Sequence, residues 1–466
     1  MKAIHFFCII LTNLMIVSCN DFLDNLPKGE KIPTTLADFT ELMSDEYTNC
    51  REDVSQAVLL LNDRFESQSN LNYYPLYRAN YLWDTTIDRL AANKSDEATY
   101  YNSYAAISTA NLIIEHVESA ADATTAERKE AIAQAKILRA MKYFTLINYY
   151  SKTYDASTAA DDGGVPYITS AEVGAAWTQE SVQDIYNHIL DDIRTALPDL
   201  PEKSRNVLYA DKAAGYALAA RVALQMNNYT DALANAQEAL ARNSQLFDWV
   251  AFYRTNSDIL GNAAVYQTVP SPMGFNYVEN YNFCHGSASY QTSDSRLRVD
   301  RAARFEQGDA AFMSRWKRRT VGNDTYYYAN LNGYFNKGGL TTTEIYLIKA
   351  ECLARKGNIA EAMDVLNTVR KSRILPEEYL NLTAENATDA IRKIRDVKAD
   401  ALILTIVPFC DARRMNLERD FARTFTKTEN GQNCTLTPDS YLWIMPFPQG
   451  AMTNPGNGKL TQNVQK

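Results

Sequence analysis

Ala220-Arg-Val-Ala-Leu-Gln-Met-Asn-Asn-Tyr-Thr-Asp-Ala232 and Ala350-Glu-Cys-Leu-Ala-Arg-Lys-Gly-Asn-Ile-Ala-Glu-Ala362 are two copies of one pattern. In each copy, alanines allow two helices to approach closely and a turn containing asparagine reverses the chain. An acidic residue then opens the second helix, where it interacts favourably with the helix dipole. This is the helix-turn-helix pattern of a tetratricopeptide repeat. The copies are 130 residues apart, whereas a continuous array repeats about every 34 residues. The sequence therefore predicts helix pairs separated by an insertion.

Helical periodicity extends well beyond these two copies. It predicts helices over residues 101–117, 125–150 and 388–406, and a helix that Thr178 caps and that runs to Leu197. The fold class predicted is mostly α, with interrupted tetratricopeptide-like helix pairs.

Composition divides the chain into three regions. Residues 32–247 are predicted as an N-terminal helical region with helix-pair repeats. Residues 248–340 are rich in Asn, Gly, Ser, Tyr and Phe, which predicts a loop-rich, ligand-binding insertion. Residues 341–466 are predicted as a C-terminal region with the second helix pair and a proline-rich tail.

The N-terminus has the layout of a secretory signal that ends at a cysteine. Lys2 gives a basic start, and Phe6 to Val17 is a mostly apolar run of twelve residues. As a helix, this run spans about 18 Å, too short for a bilayer core of about 30 Å. Residues 1–18 are therefore predicted as a lipoprotein signal peptide, Cys19 as the lipidated residue and residues 19–31 as a tether. The alternative is an ordinary secretory signal followed by a chance cysteine.

Charge and cysteine spacing argue against several partner classes. The formal charge is -9, and loss of Lys2 makes it about -10. Nucleic acid and anionic membrane surfaces both need a basic footprint, so neither is predicted as the main partner. A basic cluster from Arg296 to Arg319 has interleaved acids and is predicted to be a salt-bridged surface. The mature cysteines form no CxxC or comparable pair, which argues against a disulfide framework or a zinc site.

Several motifs together resemble one known family. They are Cys19-Asn-Asp-Phe-Leu-Asp24, the stretch from Tyr101 through Asn111, Gly164-Val-Pro-Tyr-Ile168, Glu344-Ile-Tyr-Leu-Ile-Lys-Ala-Glu351 and the tail Pro446-Phe-Pro-Gln449. In this order they resemble the SusD/RagB family of outer-membrane nutrient-binding lipoproteins from Bacteroidetes. The family's usual Arg-Trp-x-Asp-Leu stretch is replaced here by Pro408-Phe-Cys-Asp-Ala-Arg-Arg414, and Gly450-Ala451 replaces its usual acidic step.

The resemblance implies a SusD-like α-α superhelix held on the cell surface by a lipid anchor in the outer membrane. It implies a partner, a SusC-like TonB-dependent outer-membrane barrel that the protein would cover as a lid. The implied function is non-catalytic capture of an oligosaccharide or polysaccharide and its delivery to that transporter. In some members of the family the ligand is a peptide, so peptide capture in the manner of RagB is the alternative.

Sugar binding needs flat apolar faces with polar partners beside them, which protruding aromatic residues supply. The stretch Asn72-Tyr-Tyr-Pro-Leu-Tyr-Arg-Ala-Asn-Tyr-Leu-Trp-Asp84 has this mixture, and family ligands often stack in this neighbourhood. The predicted ligand-binding residues here are Tyr77, Arg78, Asn80 and Trp83. In the insertion the candidates are Tyr277, Tyr281, Phe283, Tyr290 and Trp316. For each residue the competing interpretation is ordinary packing.

No catalytic residue, cofactor or metal is predicted. Calcium at Asp161-Asp162 is an alternative to a simple turn. A surface glycoside hydrolase would need two carboxylates flanking one bond, and acids are too numerous for the sequence to exclude that alternative. No HExxH, phosphate-loop or Gly-x-Ser-x-Gly motif is present. A third class, a protein-docking module, is compatible with ligand capture, since the helical face would hold the transporter.

Overall fold

The structure is a computed structural model that describes residues 33–45, 49–94, 97–286, 296–429 and 431–464. Helices dominate this part of the chain. They are α1 (Leu36–Met43), α2 (Ser55–Leu60), α3 (Gln68–Tyr73), α4 (Pro75–Leu82), α5 (Arg89–Ala92), α6 (Ala98–His116), α7 (Thr125–Tyr150), α8 (Val182–Ala196), α9 (Lys212–Gln225), α10 (Tyr229–Arg242), α11 (Trp249–Gly261), α12 (Val299–Ala302), α13 (Ala310–Arg315), α14 (Thr342–Arg355), α15 (Ile359–Lys371), α16 (Ala387–Ala401), α17 (Val407–Asn416) and α18 (Gln449–Thr453). The mostly α fold is confirmed.

The strands are short and form small sheets. They are β1 (Gly163–Tyr167), β2 (Thr178–Ser181), β3 (Val269–Pro270), β4 (Arg296–Leu297), β5 (Trp316–Val321), β6 (Asp324–Ala329), β7 (Leu331–Asn332), β8 (Phe425–Glu429) and β9 (Gln432–Leu436). Strands β1 and β2, β8 and β9, and the set β4-β6-β5 are antiparallel, whereas β3 and β7 are parallel. These small sheets are separate from one another and do not form a common sheet.

The two helix pairs pack directly on each other across the sequence gap. Helix α9 packs on α10, α14 packs on α15, and α10 contacts α14. The equivalent turn residues Asn227 and Gly357 both adopt left-handed φ, 58° and 84°, which Gly and Asn tolerate best. Both guanidinium nitrogens Nε and Nη2 of Arg221 bond to the Glu344 carboxylate, at 2.7 and 2.6 Å. The predicted interrupted repeat is therefore a continuous stack in space.

Two predicted helix ends are wrong, and both errors have a local cause. Thr178 does not cap a helix, because it pairs with Tyr167 in the β1–β2 ribbon. The cap is Ser181, whose Oγ accepts a bond from Asp184 N. The helix predicted to reach residue 406 ends at Ala401, since Leu404 has a left-handed φ of 64°.

The insertion has more regular structure than its composition predicts. Helix α11 and the β4-β6-β5 sheet lie within it. Some of its large aromatic residues belong to a separate hydrophobic cluster, in which Trp249 and Tyr277 are buried beside Val269 and Leu331, whereas Tyr281 and Trp316 belong to the main core. Aromatic residues that the sequence suggests are exposed on loops are thus buried in a hydrophobic core.

Buried ion pairs connect the second helix pair to the helices that follow it. The Arg414 guanidinium is fully buried and lies 2.9 Å from the Glu351 carboxylate. The Asp411 carboxylate forms ion pairs with both Arg414, at 3.3 Å, and Lys398, at 2.8 Å. Because an unpaired buried charge is costly, these contacts fix α14, α16 and α17 relative to one another.

The predicted salt-bridged basic surface is found for only part of the cluster. Arg298 lies 2.9 Å from Asp300 at the surface, whereas the pair of Arg301 with Asp63, at 2.7 Å, is buried. On β5, Lys317 and Arg319 instead lie over the Tyr266 ring, each 5.2 Å from its centroid. Within the described residues, no helix is both long and apolar enough to cross a membrane.

Candidate functional site

Tyr73 and Tyr74 protrude from the surface because two short helices meet there. Helix α3 ends at Tyr73, and α4 begins at Pro75, in the first helical position that proline favours. The residue before a proline is driven out of the helical conformation, and Tyr74 accordingly has φ -112° and ψ 95°. Tyr73 is 75% exposed and Tyr74 is 46% exposed.

The exposed rings form a small aromatic platform with Tyr77. The ring centroids of Tyr73 and Tyr74 are 4.7 Å apart and nearly perpendicular, at 78°. Those of Tyr74 and Tyr77 are 5.1 Å apart at 34°. The Arg64 guanidinium lies 5.7 Å from the Tyr77 centroid, and Arg64 is itself paired with Glu66 at 2.9 Å. The platform therefore rests on a charged pair that is buried beneath it.

A cleft of about 530 Å³ opens beside this platform. Its walls come from the start of α2, from the platform and from the segment that leads into α6. The polar residues lining it are Asp53, Ser55, Gln56, Asn93, Lys94 and Glu97. An aromatic edge beside a polar cleft is the combination that binds a hydroxylated ligand with apolar faces.

Hydrogen bonds fix the polar floor of the cleft. Asn80 Nδ2 donates to Gln56 Oε1 at 2.7 Å, which orients the Gln56 amide. Asn93 Nδ2 donates to the Pro446 carbonyl at 2.7 Å, so the C-terminal tail supports this wall.

Glu97 holds the end of the cleft at the start of α6. Its carboxylate caps the helix by accepting from Thr99 N and Tyr100 N, and it also accepts from the Tyr150 hydroxyl. Burial raises the pKa of Glu97, opposed by these hydrogen bonds. This carboxyl group is engaged in holding the helix, and it does not project as a free acid.

The structure places Trp83 and Asn80 in the core, which corrects their prediction as ligand-binding residues. Trp83 is 7% exposed, and its indole N–H donates to the Leu60 carbonyl at 2.7 Å. Asn80 is 0% exposed. Tyr77 does line the cleft. Arg78 is exposed, with its Nε 4.0 Å from Asp84, and its role stays a prediction.

The insertion candidates that the structure describes are also buried. Tyr277, Tyr281, Phe283 and Trp316 are at most 7% exposed, so none of them offers a ring face to a ligand in this conformation. The Tyr281 hydroxyl donates to the Asn243 carbonyl, a structural bond. Tyr290 lies outside the described residues, as do Cys19, the signal 1–18 and the tether 19–31.

Sequence reasoning missed Tyr73 and Tyr74, although both stand in the stretch from which candidates were chosen. The available signal was the Tyr-Tyr-Pro order, since proline forces a break that leaves the preceding residues outside a continuous helix. Nothing local identified Gln56, Asn93 or Glu97, because their common cleft depends on tertiary packing.

The calcium alternative is not favoured by the geometry at Asp161-Asp162. Asp162 accepts a bond from Thr158 Oγ1 at 2.7 Å and is paired with Lys152. In the described part of the chain, no group of three or more His, Cys, Asp or Glu side chains is arranged to hold a metal ion.

Comparison with known proteins gives a consistent result. Residues 21–224 match the SusD-like family model described as starch-binding and associating with the outer membrane. A SusD superfamily protein from Bacteroides thetaiotaomicron has a similar structure, with TM-score 0.69, 16% identity and coverage of 92% of this chain and 100% of that one. A SusD superfamily protein from Bacteroides vulgatus gives TM-score 0.70 at 14% identity, covering 93% and 100%.

A SusD-like carbohydrate binding protein from Bacteroides vulgatus is similar too, with TM-score 0.65, 16% identity and coverage of 93% and 100%. Among curated proteins, none matches this chain. The family model covers the N-terminal helical region, and the structural similarity extends the same fold over nearly all of the chain. The chain is thus similar to the SusD-like family over residues 21–224, and it shares the fold of these solved structures.

Proposed function

We propose that the protein captures a neutral glycan on the platform formed by Tyr73, Tyr74 and Tyr77 and in the adjoining cleft, without chemical conversion. The observation that carries this proposal is the pair of protruding tyrosine rings at the rim of a polar cleft of about 530 Å³. Neighbouring exposed aromatic residues that form a contiguous patch are typical of a binding surface.

The platform and the cleft would divide the work of recognition. The ring faces of Tyr73 and Tyr74 contact the C–H side of a sugar ring, because the aromatic quadrupole attracts polarised C–H groups. Hydroxyl groups on the sugar edge then find polar partners in the cleft. Gln56 is suited to this role, because Asn80 occupies its Oε1, and its Nε2 makes no hydrogen bond with the residues described here. The amide N–H groups can therefore donate to a ligand.

The charge of the cleft favours a neutral ligand over an anionic one. Asp53 contributes a carboxylate, 3.6 Å from Arg51, and the Glu97 carboxyl group caps α6, whereas Lys94 is the single cation among the cleft residues described. A sulfated or uronic-acid chain would place its own negative charge beside these groups, which disfavours binding.

Several further parts of the function rest on the family. The matching family model is described as associating with the outer membrane, and a similar structure is described as a carbohydrate binding protein. Lipidation of Cys19 would anchor the mature chain to that membrane on the cell surface. We propose that a SusC-like TonB-dependent barrel receives the captured glycan, with the stacked helix pairs as the docking face.

Binding of the purified chain without residues 1–19 to a panel tests capture directly. The panel contains neutral polysaccharides and oligosaccharides, sulfated and uronic glycans, and peptides. We expect binding of a neutral glycan, unaltered ligand after long incubation, and strong loss of affinity in the Tyr73→Ala/Tyr74→Ala double variant. Release of shorter sugars would refute the non-catalytic assignment, and binding of peptides alone would replace glycan capture with peptide capture.

Membrane association and the transporter need a separate test. The full-length chain carrying a C-terminal tag is expressed in a Bacteroidetes host beside a Cys19→Ala variant. We expect the wild type in the outer-membrane fraction with a co-purifying TonB-dependent barrel, and the variant to lose its membrane attachment. Isolation of wild type without any barrel protein would count against the transporter as partner.

A further inference from the structure

A second cavity, of about 270 Å³, lies between α16, α17 and the segment that leads into β8. It shares no lining residue with the tyrosine cleft. Four arginines, Arg301, Arg304, Arg395 and Arg423, line it together with aspartates and an apolar surface.

Three of the four arginines have carboxylate partners. Arg301 is shared by Asp63 and Asp400, each at 2.7 Å. Asp396 is shared by two guanidinium groups, Arg395 at 3.3 Å and Arg423 at 2.8 Å.

The fourth aspartate of the lining, Asp411, is neutralised from outside the cavity. Lys398 lies 2.8 Å from it and Arg414 lies 3.3 Å from it, and neither of these cations lines the cavity. The remaining lining groups are four arginines and three aspartates, so the lining itself has one positive charge in excess, and Asp300, outside the lining, acts on Arg304 at longer range.

That excess lies on Arg304. Its side chain is exposed, and it forms no hydrogen bond or ion pair within the described ranges of the chain. Guanidinium groups pair readily with carboxylates in a bidentate geometry. The group that would complete the charge balance of the cavity is therefore an anion.

Two further features indicate what kind of anion fits. The amide nitrogen Nδ2 of Asn416, which lines the cavity, is buried and has no hydrogen-bond partner among the residues described. A buried donor without an acceptor is unfavourable, so an acceptor on a ligand would stabilise it. Met415, Phe421 and Phe425 supply an apolar wall, which suits a ligand whose body is apolar.

We propose that this cavity binds a small carboxylate with an apolar body, the carboxylate pairing with Arg304 and Arg423 and accepting from Asn416. The volume suits a ligand of about one ring, because pockets for drug-sized molecules begin near 300 Å³. Such a group occurs both in free aromatic acids and at the carboxyl end of an acylated amino acid. The site is independent of glycan capture, and neither proposal requires the other.

Titration calorimetry on the purified mature chain tests this with two probe pairs. The probes are phenylacetate and N-acetyl-phenylalanine, each compared with its neutral amide. We expect both acids, or one of them, to bind at millimolar concentration or below, and the amides to bind about ten-fold more weakly or worse. The tighter acid identifies the source of the carboxylate.

Variants locate the binding. Arg304→Gln should weaken binding of the acid about ten-fold or more and change thermal stability only slightly. The side chain makes no hydrogen bond or ion pair within the described ranges, and it acts on Asp63, Asp300 and Asp396 only at longer range. Arg254→Gln is the matched control, since Arg254 is an exposed arginine that pairs with Glu377 outside the cavity. Equal binding of acids and amides, unchanged binding in Arg304→Gln, or no binding of either acid would each overturn the proposal.

Discussion

Replacing Tyr73 by alanine should weaken glycan binding and leave folding intact. Burying a whole tyrosine removes about 200 Å² from water. Tyr73 is 75% exposed, and a sugar stacked on one face would cover roughly a third of the ring surface, about 70 Å². At about 25 cal/mol per Å², this corresponds to about 1.7 kcal/mol, or roughly twenty-fold in Kd.

Replacing Trp83 by alanine should have the opposite profile. Trp83 is in the core, and truncation of a buried tryptophan costs about 3–5 kcal/mol of stability. The variant also loses the hydrogen bond from the indole to the Leu60 carbonyl and the ring beneath Lys427, whose Nζ lies 5.0 Å from the Trp83 centroid. We expect a lower unfolding temperature, and near-normal affinity in the fraction that remains folded.

Two measurements on the same samples separate these profiles. Thermal unfolding reports stability, and calorimetric titration with the glycan identified by the panel reports affinity. Tyr334→Ala is the matched control, since Tyr334 is 37% exposed and belongs to a different aromatic group, with Phe275 at 5.2 Å. The reasoning is refuted if folded Trp83→Ala loses binding while Tyr73→Ala keeps it, because the ligand would then contact a ring that we place in the core.

Three further predictions concern the scaffold. Arg221→Met should lower the free energy of unfolding by about 3–5 kcal/mol, because the Glu344 carboxylate stays buried without its partner. Adding Glu344→Leu should restore most of the urea midpoint, and additive losses from the two substitutions would contradict this pairing. Burial and a neighbouring guanidinium lower the pKa of Lys427 from 10.5 to about 7. Between these two pH values the unfolded chain binds more protons than the folded chain, so the stability of the wild type should rise with pH across that window. Thermal unfolding of Lys427→Met should lack this rise, and a parallel rise in the variant would exclude Lys427 as its source. Gly357→Ala should lower the free energy of unfolding in urea by about 1 kcal/mol, because φ is 84° and only the backbone is strained. Gly261→Ala in α11, where φ is not positive, should be neutral or mildly stabilising.

The architecture was predictable because its determinants are local. Small residues at helical spacing and a turn that needs left-handed φ specify a helix pair wherever they occur, and Asn227 and Gly357 satisfy that need at equivalent positions. The errors at Thr178 and Leu404 have a different origin. Thr178 pairs with Tyr167 in a strand and so cannot cap the helix, and the left-handed conformation of Leu404 ends the second predicted helix early. Neither leaves a periodic signal.

The site was predictable only as a neighbourhood. The stretch from residue 72 to 84 is rich in aromatic and polar residues, and composition cannot rank them. Their exposure is decided by the helix break at Pro75, which leaves Tyr73 and Tyr74 outside, and by the helix end at Trp83, where φ of 52° directs the chain back to the core. Preferring tryptophan as a stacking residue therefore selected the ring that the fold had buried.

The insertion shows why abundant aromatic residues are a weak guide to a binding site. Because α10 and α14 contact each other directly, the chain between them leaves the stack and returns, and only part of its apolar surface, such as Tyr281 and Trp316, packs into the core of the superhelix. A segment in that position must bury its own apolar surface to remain ordered. Trp249 and Tyr277 do so in a hydrophobic cluster separate from that of the repeats. The aromatic content of the insertion is thus a requirement of its stability, whereas the platform at Tyr73 and Tyr74 has no such requirement to explain its exposure, which is why we assign capture there.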